Sequence, residues 1–253
     1  MLVTFGDSWV YGIGAGFTYT DNSTSWSRNK YKKFIFEKRE AHVKFSFRSH
    51  LSKLINLKNL NFSEGGSSNQ RQFRYASEYF IKNKNTLPKE SIVLWGITSV
   101  YRNEFYNNNK KAYENFFCPD ETHLSKVIAN TYFNEEKEIE KLYYNIELYN
   151  SYFKTLGIKN YWFNVFNDHE FPNTIKNVLF NSQSLLSLLL EDPTKNDTYH
   201  KSDWSTTDRK IKKAVELQLV NPITLHPTKE SHIKLSDLLY KELQSSVTRK
   251  SYT

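Results

Sequence analysis

The apolar positions of this chain fall into short continuous runs separated by stretches with helical spacing. Leu2-Val3-Thr4-Phe5 leads directly into Gly6-Asp7-Ser8, the pattern of a buried strand that ends in a tight turn. Phe47, Leu51 and Leu54 recur at helical spacing, and Asn59-Leu60-Asn61-Phe62 predicts a short second strand before the turn Ser63-Glu64-Gly65-Gly66. Ser68 is placed to cap a helix with Phe73, Ala76 and Phe80 on one face, and Ser91-Ile92-Val93-Leu94-Trp95 predicts a third strand closed by Gly96. From Asn134, the residues Ile139, Leu142, Ile146, Tyr149, Phe153 and Leu156 make the clearest amphipathic helix, with Glu135 and Glu136 in its first turn and Gly157 as its stop. Tyr161 to Phe166 is expected as a fourth strand.

Two stretches break the alternation. Residues 17–45 are polar, basic and aromatic with neither a helical nor a strand period, and are expected to be an insertion. Residues 168–220 are irregular, with Val178-Leu179-Phe180 as a candidate fifth strand and Ser184 to Leu190 as a candidate helix. The chain closes on a helix from about Thr228 that carries Leu235, Leu238, Leu239 and Leu243 on one side. Strands alternating with helices predict one α/β domain over residues 1–253, with a doubly wound parallel sheet of about five strands between two helical layers. Ligands of such sheets sit at the carboxyl ends of the strands.

Composition supports a packed enzyme-sized core. Of 253 residues, 38% are hydrophobic and 16% aromatic, enough apolar area to exclude disorder. The single Cys118 excludes a disulfide framework and a thiolate-rich metal site. The net charge of +8 is mostly dispersed Lys, which reads as solvated surface, and no nucleic-acid motif accompanies it. The longest nearly apolar stretch, Ser184 to Leu190, is far too short to span a bilayer, and the N-terminus lacks a basic segment followed by an apolar one. A cytoplasmic or intracellular location is therefore expected. Gly12-x-Gly14-x-Gly16 lacks the Lys and the spacing of a phosphate loop, and His169 and His200 lack zinc-ligand spacing, so neither metal nor cofactor is expected.

The residues that follow the strands are those of an acyl-transfer site. After the first strand come Asp7-Ser8-Trp9, after the second Gly65-Gly66-Ser67-Ser68-Asn69, after the third Gly96-Ile97-Thr98-Ser99, and before the last helix His226-Pro227. They supply a hydroxyl nucleophile, a glycine amide, a second hydroxyl and a histidine. In these blocks and their order the chain resembles the SGNH (GDSL-type) hydrolase superfamily of esterases and lipases, nearly end to end. The resemblance implies a flavodoxin-like sheet, Ser8 as nucleophile, the Gly66 amide as an oxyanion donor (from the match of Asn61 and Gly66 to the second block), and His226 as base.

Two departures from that pattern matter. The family's third block reads Gly-x-Asn-Asp, whereas this chain has Gly96-Ile97-Thr98-Ser99, so the Thr98 hydroxyl would complete an oxyanion hole formed with Ser8 and Gly66. The family's acid lies three residues before the His, where this chain has Ile223. A Ser–His dyad, a backbone carbonyl, or a carboxylate such as Asp168 or Asp203 must then orient His226. The expectation is a serine esterase acting through an acyl-enzyme on a small-molecule or carbohydrate ester with a short acyl group. The alternative is a catalytically impaired module of the same fold that binds carbohydrate or serves a structural role.

Overall fold

The computed structural model describes residues 1–15, 37, 39–83, 85–117, 127, 131–191, 203–222 and 224–249. Its strands are β1 (Leu2–Phe5), β2 (Asn59–Asn61), β3 (Ile92–Ile97), β4 (Arg102–Asn107), β5 (Ala112–Phe117) and β6 (Lys159–Asn164). Strands β1, β2, β3 and β6 form a parallel sheet in the order β2-β1-β3-β6, and β4 pairs with β5 in an antiparallel hairpin. The helices are α1 (Ser8–Tyr11), α2 (Arg39–Phe45), α3 (Phe47–Leu54), α4 (Asn69–Ala76), α5 (Glu135–Thr155), α6 (Leu185–Leu190), α7 (Asp203–Glu216) and α8 (Lys229–Arg249). None of the described helices is long and apolar enough to cross a membrane.

The sheet is buried on both faces because its side chains alternate between two helical layers. Val3 and Phe5 of β1, Val93 and Trp95 of β3 and Trp162 of β6 join one core with Phe73 of α4 and Ile146, Tyr149 and Phe153 of α5. Leu2, Leu94 and Phe163 point the other way, into a second core with Phe47 and Leu51 of α3, Leu185 and Leu189 of α6, and Leu235 and Leu239 of α8. The order reverses its winding around β1, so the crevice at the carboxyl ends of β1 and β3 is where such a sheet takes a ligand.

The sequence pattern anticipates four of these strands, but the fifth is reduced to two single bridges from β6, Trp162 with Val178 and Asn164 with Ser184. Phe180 and Asn181 have φ of 58° and 49°, which turns the chain out of extended geometry just after the first bridge. The candidate helix after it forms as α6, whose cap Ser184 accepts from the Ser187 amide. Of the expected insertion at 17–45, residues 37 and 39–45 are described and 39–45 form α2; the rest lies outside the described residues.

A row of aromatic rings crosses the sheet at one level. Phe62, just beyond β2, stacks on Phe5 at 5.0 Å, Phe5 on Trp95 at 4.1 Å, and Trp95 on Trp162 at 4.9 Å. The register pairs Phe5 with Trp95 and Trp95 with Trp162, so each strand contributes its ring at the same height. Both indole N–H groups are satisfied, Trp95 by Asn160 at 2.7 Å and Trp162 by Asn150 at 2.8 Å, and Asn160 donates to Asn150 in turn. Replacing Trp95 with Ala is expected to cost about 3–5 kcal/mol in urea denaturation, while the exposed Tyr144→Ala should cost within about 0.5 kcal/mol.

Candidate active site

The turn after β1 is dictated by close packing. A side chain at Gly6 would place its Cβ 2.3 Å from Val10, because α1 doubles back over the strand end. Asp7 is the N-cap of α1, with Oδ1 accepting from the Trp9 amide at 3.0 Å, and Ser8 is the first helical residue. Beyond α1, Gly14 has φ of 98°, and a Cβ there would lie 2.4 Å from the Pro227 carbonyl and 2.8 Å from His226 Cβ. The first loop can approach the His226-Pro227 segment because Gly14 has no side chain.

The other blocks converge on the same edge. The Glu64 amide donates to the Gly6 carbonyl at 3.2 Å, tying the Gly66 turn to the end of β1, and Gly66 itself has φ of 71°. At the end of β3, the Asn69 side chain holds both backbone groups of Thr98, accepting from its amide at 3.0 Å and donating to its carbonyl at 2.8 Å. The Thr98 hydroxyl donates to Asp7 Oδ2 at 3.3 Å. The position expected to complete an oxyanion hole is thus turned towards the buried Asp7 carboxyl.

Arg102, at the start of β4, also reaches Asp7 Oδ2, at 3.1 Å, and lies over the Phe166 ring at 5.3 Å. Burial pushes the Asp7 carboxyl above its ordinary range, against the opposing pull of Arg102 and of the Trp9 and Thr98 donors. The hairpin also brings Asn115 beside the Gly66 turn, so it borders two parts of the site. The sequence reading placed Asp7 at a strand end without giving it a role, and missed Arg102: one Arg among 35 Lys and Arg carries no local signal. A cavity of about 20 Å³ lined by Asn69, Gln70, Phe73, Arg102 and Asn145 has room for about one water and is too small for an ester.

His226 sits in a loop closed by backbone bonds, its carbonyl accepting from the Asn221 amide at 2.9 Å and its amide donating to Thr224 Oγ1 at 3.2 Å. Its Nδ1 donates to the Thr224 carbonyl. A carbonyl oxygen carries no proton, so this contact requires the proton on Nδ1 and leaves the lone pair on Nε2. Ile223 lies outside the described residues. Burial lowers the imidazole to about 4; the Thr224 carbonyl opposes that shift, and the nearby Arg102 and His42 add to it.

Of the two candidate acids, Asp168 is engaged in the packing of α6 and α7. Asp168 accepts from the Ser184 amide, from Ser187 Oγ at 2.7 Å and from Lys210 Nζ at 3.0 Å, tying α6 to α7 as a buried structural pair. Burial raises its carboxyl, but these donors outweigh it and the net shift is downward. Asp203 opens α7, and its side chain lies outside the described portion. Among the described residues, no group of three or more His, Cys, Asp or Glu could hold a metal ion.

No family model and no curated protein matches the chain. Among solved structures it is similar to a G-D-S-L family protein described as lipolytic from Desulfitobacterium hafniense, at 11% identity over 95% of this chain and 97% of that one, with a TM-score of 0.43. It is also similar to a psychrotrophic esterase from Pseudoalteromonas sp., at 10% identity over 98% of each chain and a TM-score of 0.41. An acetyl xylan esterase from the rumen bacterium Butyrivibrio proteoclasticus aligns at 12% identity over 98% of this chain and 64% of its own, with a TM-score of 0.46.

Two buried histidines and the partly buried His226 give the fold a pH dependence of definite sign. His226 at about 4, and His169 and His232 at about 3, all lie below an ordinary histidine, with burial the first cause in each case. Between pH 6.5 and those values the unfolded chain binds protons that the folded chain refuses, so stability is full above about 6.5 and falls as the pH drops. His232→Asn keeps an acceptor for the Phe47 amide, which bonds His232 Nδ1 at 3.3 Å, and removes the titration. Urea midpoints from about pH 7.5 to 4.5 should fall less steeply in that variant, by up to about 2–3 kcal/mol at the acid end.

Proposed function

We propose that this protein is a serine ester hydrolase with Ser8 as nucleophile and His226 as general base. The observation that carries the reading is the Nδ1–H to Thr224 carbonyl bond, beside a Gly14 that lets His226 pack against the loop following Ser8. It leaves Nε2 as the one ring nitrogen able to take a proton at neutral pH. In the reaction, Ser8 Oγ attacks the ester carbonyl carbon while its proton passes to His226 Nε2. The Ser8 and Gly66 amides stabilise the oxyanion. His226 then returns the proton to the departing alcohol, and water hydrolyses the acyl-enzyme with His226 again as base.

A carbonyl performs only part of a triad acid's work. It selects the tautomer and holds the ring, but as a dipole it stabilises an imidazolium less than a carboxylate does. With Arg102 and His42 also disfavouring the cation, the base is weak and turnover is modest. The substrate we favour is a short acyl ester on a polar or carbohydrate alcohol. Tyr106 and Tyr113 lie exposed and edge to face at the far end of the hairpin that carries Arg102, and flat aromatic surfaces suit sugar rings.

The test is covalent labelling by a fluorophosphonate at neutral pH, with the modified residue located by mass spectrometry. Ser8 should be labelled, Ser8→Ala should not be, and His226→Ala should slow labelling by about two orders of magnitude or more. On a 4-nitrophenyl ester panel the labelled enzyme should favour acetyl over long chains. Absence of labelling at Ser8 would instead favour a binding module of the same fold.

A further inference from the structure

An oxyanion hole built here from the Ser8 and Gly66 amides alone is one donor short of the arrangement that the resemblance implies. The side chain at that third position, Thr98, has a single hydroxyl proton and directs it to Asp7 Oδ2. A hydroxyl cannot donate that proton to two acceptors. The charge that stands beside the same carboxyl is Arg102. A guanidinium carries five N–H groups in a rigid plane, and Asp7 takes one of them, from the Arg102 Nη1 nitrogen. The side chain keeps 23% of its surface exposed, and its Cζ lies 5.3 Å from the centroid of the Phe166 ring.

Its position relative to Ser8 follows from the chain. Asp7 immediately precedes Ser8 and is fixed by the Trp9 amide, so the guanidinium is anchored one residue from the nucleophile. The same charge adds to the lowering of the His226 imidazole. The hairpin that delivers it lays Asn115 by the Gly66 turn, where the second amide donor resides.

We propose that Arg102 is the third oxyanion donor of the Ser8 site, offering an N–H that Asp7 does not use to the oxygen of the tetrahedral intermediate. The proposal rests on Ser8 being the nucleophile. A charge-assisted bond from a guanidinium is stronger than one from a neutral hydroxyl, and it acts most where negative charge develops. The ion pair with Asp7 fixes the guanidinium in place before the substrate arrives. The same cation disfavours protonated His226, so the site gains oxyanion stabilisation at the expense of base strength.

Three variants test this on 4-nitrophenyl acetate: Arg102→Ala, Arg102→Lys, and the double variant Asp7→Asn/Arg102→Ala, which leaves neither partner buried without the other. Arg102→Ala should lose about 10²–10³ in kcat with KM changed by less than about threefold, and added guanidinium ion at non-denaturing concentration should restore part of it. Arg102→Lys keeps a cation for Asp7 but not the planar fork, and should lose at least about tenfold. The acid limb of kcat/KM should move to higher pH in the Ala variant, since of the charged and titratable groups around His226 (Arg102, His42 and His232) the guanidinium is removed. The double variant should remain as slow as Arg102→Ala. Wild-type kcat in the double variant would mean that Arg102 only balances Asp7, and would overturn the proposal. So would a folded Arg102→Ala with kcat within about threefold of wild type, or a loss confined to KM. A wild-type protein that a fluorophosphonate does not label at Ser8 would remove the nucleophile reading and this proposal together, whereas a labelled wild type with unaffected variants would remove this proposal alone.

Discussion

The row of rings Phe62, Phe5, Trp95 and Trp162 is the contact on which the geometry of the site depends. Phe5 is the last residue before Gly6-Asp7-Ser8, and Trp95 the last before Gly96-Ile97-Thr98, so the stack lies directly beneath the crevice. A one-residue slip of β1 against β3 would carry Phe5 to the opposite face and take Asp7 out of reach of Thr98 and Arg102. Because both faces of the sheet are buried, such a slip would cost two cores at once. The stack fixes the register, and the register lets the Thr98 and Arg102 side chains meet at Asp7.

On that frame the site is organised around a buried carboxyl that does no chemistry itself. Asp7 caps α1, receives the Thr98 hydroxyl and pairs with Arg102, so the strand ends and the hairpin are joined through one group. Burying a carboxyl is costly unless it is hydrogen-bonded and paired, and these partners offset part of that cost. At Asp168 the donors Ser184, Ser187 and Lys210 outweigh burial, and this carboxylate belongs to the packing of α6 and α7.

What could be read in the sequence is what local pattern encodes. The helix starting after Asn134 and stopping at Gly157 is set by its cap, its acidic first turn and its apolar face, and it forms as α5. The four strands of the sheet are apolar runs ending in glycine or polar turns, and Ser8, Gly66, Thr98 and His226 stand out as candidates because they follow such runs or precede the last helix. The hairpin β4–β5 escaped because Arg102-Asn103-Glu104 and Tyr113-Glu114-Asn115 place polar groups on both faces, which hides a period of two. Arg102 and the Thr224 carbonyl escaped for a deeper reason: a long-range ion pair and a backbone acceptor have no sequence signature. The missing acid at Ile223 signals that something else must hold His226, and only the fold identifies the carbonyl.

That carbonyl is the centre of the account. Where a carboxylate would select the tautomer and also stabilise the cation, the Thr224 peptide does the first and little of the second. His226 is therefore a neutral imidazole with its lone pair on Nε2. Nitrogen NMR of the histidine side chains at neutral pH, assigned to His226 by its loss in His226→Gln, reads this state directly. The account predicts a neutral imidazole with a pyrrole-type, protonated Nδ1 and a pyridine-type Nε2. A protonated Nε2, whether as the other neutral tautomer or as an imidazolium, would contradict it.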